Sequence, residues 1–214
     1  MRSLVRAIAF VVLGRRLRVE GMGAFPRRGA VLVVGNHVGT VDPPLTGVLI
    51  PRLDVYYMAK AELFANHVLG WLFEQNHAFP VVRDSADRRA LRRALGILRS
   101  GHVLLVYPEG TRSWDGHVGE PQAGAGFLAR RSGATIVPVA SWGGENVIPR
   151  GKVIPRRADM HIRVGPGFRL PERGADGRPL TNQEAANLMM ARVEELLAYR
   201  HLPPDAASVR PPAA

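Results

Sequence analysis

The chain has 214 residues, enough for one domain with a buried core, and its apolar share of 46% and charged share of 22% fit neither a disordered chain nor a polytopic membrane protein. The formal net charge is +11, and of the basic residues only Lys60 and Lys152 are lysines; this balance points to an anionic partner, whether nucleic acid, an acidic lipid surface or a phosphate-bearing substrate. Cysteine is absent, which removes disulfides, thiolate metal sites and a cysteine nucleophile.

In chain order, residues 1–17 predict a short helix with an apolar run from Ala7 to Leu13 between Arg2, Arg6, Arg15 and Arg16. It falls short of the about 20 residues a bilayer crossing needs, and no small-x-small cleavage site follows, so it packs on the core or lies in a membrane interface. Residues 18–201 then alternate short β-rich runs with helical patterns, the signature of an α/β layered domain with a mostly parallel central sheet flanked by helices. Buried strands are expected at 30–36, 54–59, 78–82, 102–108 and 134–140. A helix over 85–100 carries Leu91, Leu95 and Leu98 at helical spacing, stops at Gly101, and presents Arg88, Arg89, Arg92, Arg93 and Arg99, most simply a solvated face. A last helix opens with Thr181 and Glu184 in capping-box spacing and runs an apolar stripe from Ala186 to Leu197; the Pro- and Ala-rich residues 202–214 are expected to be disordered.

Chemistry concentrates at the ends of the expected strands, where α/β domains present reactive groups to a crevice. "NHVGTVDPP" follows the first of them and sets His37 ahead of Asp42. An aspartate before two prolines reads as a helix N-cap, yet a carboxylate fixed there also reaches back to the imidazole, selects its tautomer and supports it as a general base. The two roles are compatible. "FPVVRD" closes another strand with Arg83, and "YPEGTRS" closes a third with Glu109, Gly110, Thr111 and Arg112. Singly each reads as a turn or a local ion pair. Together they put a base, two arginines and a glycine at one crevice, which suits a phosphate monoester.

These blocks, with Val137 to Val139 as a fourth, resemble the glycerolipid acyltransferases of the 1-acylglycerol-3-phosphate acyltransferase type. The third block, Tyr107 to Ser113, matches the family pattern at seven consecutive positions, and the resemblance spans roughly residues 18–165. It implies transfer of a fatty acyl group from coenzyme A or acyl carrier protein to a hydroxyl of a lysophospholipid, at the cytoplasmic face of the cell membrane, with an anionic membrane surface as partner. No metal or cofactor is implied beyond the acyl thioester co-substrate. Carried over by position, His37 is the base, Asp42 its orienting partner, and Arg83, Glu109, Gly110, Thr111 and Arg112 form the acceptor site. Two positions depart from the pattern: Gly39 stands where serine is frequent, and Gln122 where lysine is frequent. The second departure admits a lyso-aminolipid or glycolipid acceptor.

The rival from another class is a nucleic-acid binder, motivated by the charge and the arginine-rich helix. Aromatics are only 7%, no nucleic-acid motif occurs, and the basic residues spread along the whole chain, so nucleic acid is not the expected partner. The remaining histidines lack ligand spacing, which disfavours a metal hydrolase.

Overall fold

The computed structural model describes residues 7, 11–82, 87–113, 118–152, 154–174 and 176–200. Most of the expected N-terminal helix and the tail 202–214 lie outside those residues, as does Arg83. Among the described residues no helix is long and apolar enough to cross a membrane.

The chain forms the expected α/β layers. The strands are β1 (Leu17–Glu20), β2 (Val31–Gly35), β3 (Val55–Lys60), β4 (Ala78–Val81), β5 (Val103–Val106), β6 (Thr135–Trp142) and β7 (Met160–Val164). The helices are α1 (Asp42–Leu49), α2 (His67–Gln75), α3 (Arg88–Arg99), α4 (Ala123–Ser132), the single turn α5 (Gly144–Val147) and α6 (Asn182–Ala198). One seven-stranded sheet runs in the order β1-β7-β6-β2-β5-β3-β4. β2 pairs in parallel with β5 and β6, β3 with β5 and β4, and β1 with β7; only β6 and β7 run antiparallel.

A parallel strand covered on both faces has no polar side to show, which is why "VLVVG" is apolar at every position. All five residues of β2 are buried. Val31 and Val33 belong to one core layer with Leu45, Tyr57 and Ile162; Leu32 and Val34 belong to the other, with Leu98 of α3, Leu128 of α4 and Met189 of α6. α6 begins with both halves of the expected capping box between Thr181 and Glu184, and buries Ala186, Met189, Met190 and Val193. α3 starts one turn later than the sequence suggests because Asp87 caps it, its carboxylate accepting from the amides of Arg89 and Ala90.

Two strands were not expected. β1 and β7 pair at one edge, and their alternating charges conceal them: Arg163 of β7 is buried, and its Nε donates to Glu20 of β1 at 2.6 Å. Its Nη1 also donates to the carbonyl of Tyr199 at 2.9 Å, closing the end of α6.

Candidate active site

β2, β5 and β6 run side by side in one direction, so the segments that follow them meet at one end of the sheet. Asn36 fixes the first to the third. Its Nδ2 donates to the carbonyl of Ser141 at 2.9 Å, and the Ser141 amide donates back to Oδ1 at 2.8 Å. Both polar atoms of Asn36 thus bond to the backbone of Ser141, and the side chain acts as a strap beneath His37.

The chain then turns sharply. Asp42 is the first residue of α1, with Val41 in the capping position and prolines next in the helix. The N-cap reading of Asp42 is therefore corrected: its carboxylate turns back into the preceding loop instead of serving the helix amides. Oδ2 accepts from the Val38 amide at 2.8 Å and the Gly39 amide at 2.7 Å, and lies 3.1 Å from Nδ1 of His37. Asp42 is fully buried, and its Oδ1 has no hydrogen-bond partner among the described residues. A carboxylate with no lysine or arginine within ion-pair reach among the described residues and one bare oxygen directs its field at the imidazole beside it.

With Nδ1 facing Asp42, the Nε2 atom of His37 is left as the lone-pair nitrogen and has no partner among the described residues. The ring of Tyr107 covers one face of the imidazole, with centroids 4.6 Å apart. Burial holds the Tyr107 hydroxyl well above the usual phenol range, with the charge of Asp42 adding to the effect. That hydroxyl is buried beside Thr46 without a well-formed hydrogen bond.

Glu109 is buried after β5. Its Oε1 accepts from the backbone N–H of His37 at 2.9 Å and its Oε2 from that of Gly119 at 2.8 Å. Burial raises its carboxyl above the ordinary range, and these two N–H groups pull partly against that rise. The next residue, Gly110, has φ +71, and a Cβ there would collide with the Gln122 side-chain amide. Thr111 is exposed beside it. Arg112 sends Nη1 to Oγ1 of Thr40 at 2.5 Å, so a guanidinium borders the His37 loop. The Ser113 amide donates to the carbonyl of His37 at 2.8 Å.

The structure thus brings His37, Asp42, Glu109, Gly110, Thr111 and Arg112 to one end of the sheet. Arg83 lies outside the described residues, between Val82 and Asp87, and those two residues line a cleft of about 650 Å³. Phe79, Pro80 and Ala90 also line it, together with Arg88, Arg89 and Arg93, whereas His37, Asp42, Glu109, Gly110, Thr111 and Arg112 do not.

A sequence model of the acyltransferase family matches residues 16–142, from the start of β1 to the end of β6. The chain belongs to that family. This acyltransferase is 30% identical over 157 residues to 1-acyl-sn-glycerol-3-phosphate acyltransferase of Bacillus subtilis, covering 72% of this chain and 76% of that protein. The corresponding Streptococcus pneumoniae protein is 28% identical over 61% of this chain and 48% of its own length. A lyso-ornithine lipid O-acyltransferase of Pseudomonas aeruginosa is 38% identical over 94 residues, covering 44% of this chain and 35% of that protein. Matched stretches thus span about half or less of the last two relatives. Among solved structures, the 1-acyl-sn-glycerophosphate acyltransferase PlsC of Thermotoga maritima shares the fold at a TM-score of 0.67 and 24% identity, covering 92% of this chain and 78% of that one.

Several residues that shape this acyltransferase's site carried no signal of their own in the sequence. Ser141 works through its backbone, Gly119 through one amide, and Gly144 through the side chain it lacks. A Cβ on Gly144 would sit 2.6 Å from Oδ1 of Asp42, and one on Gly39 would sit 2.5 Å from the carbonyl carbon of Gly144. The glycine at 39, a departure when read from the sequence, is required by this backbone approach.

Proposed function

We propose that this acyltransferase works at a membrane surface, moving a fatty acyl group from a thioester of coenzyme A or acyl carrier protein to the free hydroxyl of a lysophospholipid. The first acceptor is 1-acylglycerol-3-phosphate, giving phosphatidate. The observation that carries the reading is the buried His37–Asp42 pair, with Nδ1 committed and Nε2 open.

An alcohol is a poor nucleophile at neutral pH. Nε2 takes its proton as the oxygen attacks the thioester carbonyl, Asp42 stabilises the imidazolium, and the tetrahedral intermediate collapses with cleavage of the C–S bond. The departing thiolate takes the proton back from Nε2, and the imidazole returns to neutral. A base so placed is worth about 10²–10⁴ in rate. The His37 loop offers the amides of Gly39 and Thr40 to the oxyanion; that of Gly39 already serves Asp42, which leaves the Thr40 N–H for that part. Arg112, and Arg83 by resemblance, supply cations for the acceptor phosphate; Glu109, with both oxygens on backbone N–H groups, holds the loop that carries His37.

A second acceptor class has its own support. Gln122 brings a neutral amide beside Gly110, and the Pseudomonas relative is named for a lyso-ornithine lipid, which suits a lyso-aminolipid. One experiment separates the two: the protein is offered lysophosphatidate and lyso-ornithine lipid with one acyl-coenzyme A, and the products are weighed by mass spectrometry. Phosphatidate alone supports the first acceptor and acylated ornithine lipid alone the second. Product from neither, with no thiol released, rejects both.

A further inference from the structure

Nine large apolar side chains are exposed among the described residues. Their distribution is uneven. β2, β3, β4, β5 and β6 all finish at the end of the sheet that holds His37, whereas β1 and β7 start there. Leu63 follows β3, Val68 lies in the first turn of α2, Trp71 in the next, and Val82 follows β4. Val68 is 68% exposed and Trp71 55%. Val11 precedes β1, and Ile154, 78% exposed, sits in the loop between β6 and β7. Six of the nine therefore gather at or near the end that carries the site.

The loop with Ile154 is built for a particular neighbour. Residues 146–158 contain no acid, and Arg150, Lys152, Arg156 and Arg157 are exposed along them. The loop is anchored: the backbone N–H and Nε of Arg156 donate to the carbonyls of Val147 and Asn146, both at 2.9 Å. Those carbonyls belong to α5, whose Gly144 touches the His37 loop at Gly39. On the far side of the site, Val82 meets the cleft lined by Arg88, Arg89 and Arg93. Each flank combines bare apolar side chains with a surplus of cations, and a surface that is apolar within and anionic at its rim satisfies both.

We infer that the His37 end of the sheet docks face-on to an anionic phospholipid bilayer through two footholds, Ile154 with its basic loop and Leu63, Val68 and Trp71 with the start of α3. The inference deepens the acyltransferase reading and rests on it for the purpose of the contact. It also sets the orientation: an acceptor can stay in its leaflet while its head group reaches Nε2.

The test is co-sedimentation with vesicles of phosphatidylcholine alone or with a quarter phosphatidylglycerol, using Ile154→Glu, the double variant Val68→Glu/Trp71→Glu, and Leu53→Glu, whose site is 79% exposed at the opposite end of the sheet. The mixed vesicles bind the wild type in preference to the neutral ones, each foothold variant loses at least about tenfold in partitioning, and Leu53→Glu loses none. Turnover of a short-chain acceptor and short-chain acyl-coenzyme A, both dissolved as monomers, stays within about twofold in all variants. Equal loss in Leu53→Glu, no loss in either foothold variant, or a wild type that ignores anionic vesicles and binds duplex DNA instead overturns the inference. Binding with the expected pattern but no acyl transfer to any acceptor would leave the docking face standing and reject the enzyme reading.

Discussion

Among the described residues two histidine–aspartate pairs stand out, one at each end of the same sheet, and their geometry is nearly the same. Nδ1 of His37 lies 3.1 Å from Asp42 at the carboxyl end of β2; Nδ1 of His102 lies 3.0 Å from Asp54 at the amino end of β3. What surrounds the carboxylates differs. Asp54 is partly exposed and gripped by Arg52, whose Nη2 also donates to the carbonyl of Gly101 at 2.8 Å, and its pKa is lowered to about 2, first by the hydrogen bond from Arg52. Its charge is spent on a guanidinium, and the imidazole is one more hydrogen bond in a clamp between loops. Among the described residues Asp42 faces backbone amides and His37 alone, and it is fully buried. A short distance between the two residue types does not single out a base; the proposed reaction assigns that part to the pair whose aspartate meets no rival cation among the described residues.

That contrast can be broken most directly at the histidines. His37→Ala is expected to lower thiol release from acyl-coenzyme A by about 10²–10⁴, whereas His102→Ala leaves it within about twofold; equal effects would erase the distinction. Among the aspartates, Asp42→Asn keeps the shape but lets an amide N–H face the ring or the loop amides, and a loss in kcat on the order of 10²-fold with little change in KM is expected from steady-state rates. Crowding sharpens the same point. Gly39→Ala drives a methyl against the backbone of Gly144 and should destabilise by about 1–3 kcal/mol in denaturant titration.

The smallest effect belongs to the clamp. The pKa of Asp54 falls from 3.8 to about 2 on folding, so the carboxylate contributes stability above the unfolded value and loses it as pH falls towards 2. Discounted for its exposure, the contribution is about 1 kcal/mol. Asp54→Asn should lower stability by that amount at pH 7, and the gap to wild type should close between about pH 4 and pH 2, with turnover unchanged at pH 7.

The central strands β6, β2 and β5 were legible because strands covered on both faces must be apolar throughout, and β3 and β4 because their runs are still mostly apolar. The edge formed by β1 and β7 was not, since Arg163 and Glu20 put an ion pair where a sheet would otherwise show a hydrophobe. α2 escaped notice for a related reason: with Val68 and Trp71 outward it lacks a polar face, and its apolar residues show no single stripe. Within the site, His37 and Asp42 could be read from their spacing. What Asn36, Glu109 and Gly144 do could not, because a carboxylate between two backbone amides, or a strap to a carbonyl on another strand, depends on neighbours that the chain supplies much later.

The touching backbones of Gly39 and Gly144 tie two distant stretches of sequence into one unit of exchange. Grafting the His37 loop of a relative that carries serine at this position onto this scaffold calls for the α5 turn of the same donor, since a side chain at 39 would meet the backbone of Gly144 and one at 144 would meet the Asp42 carboxylate. Chimaeras that cross over between the two should therefore fail to fold more often than those that move both together.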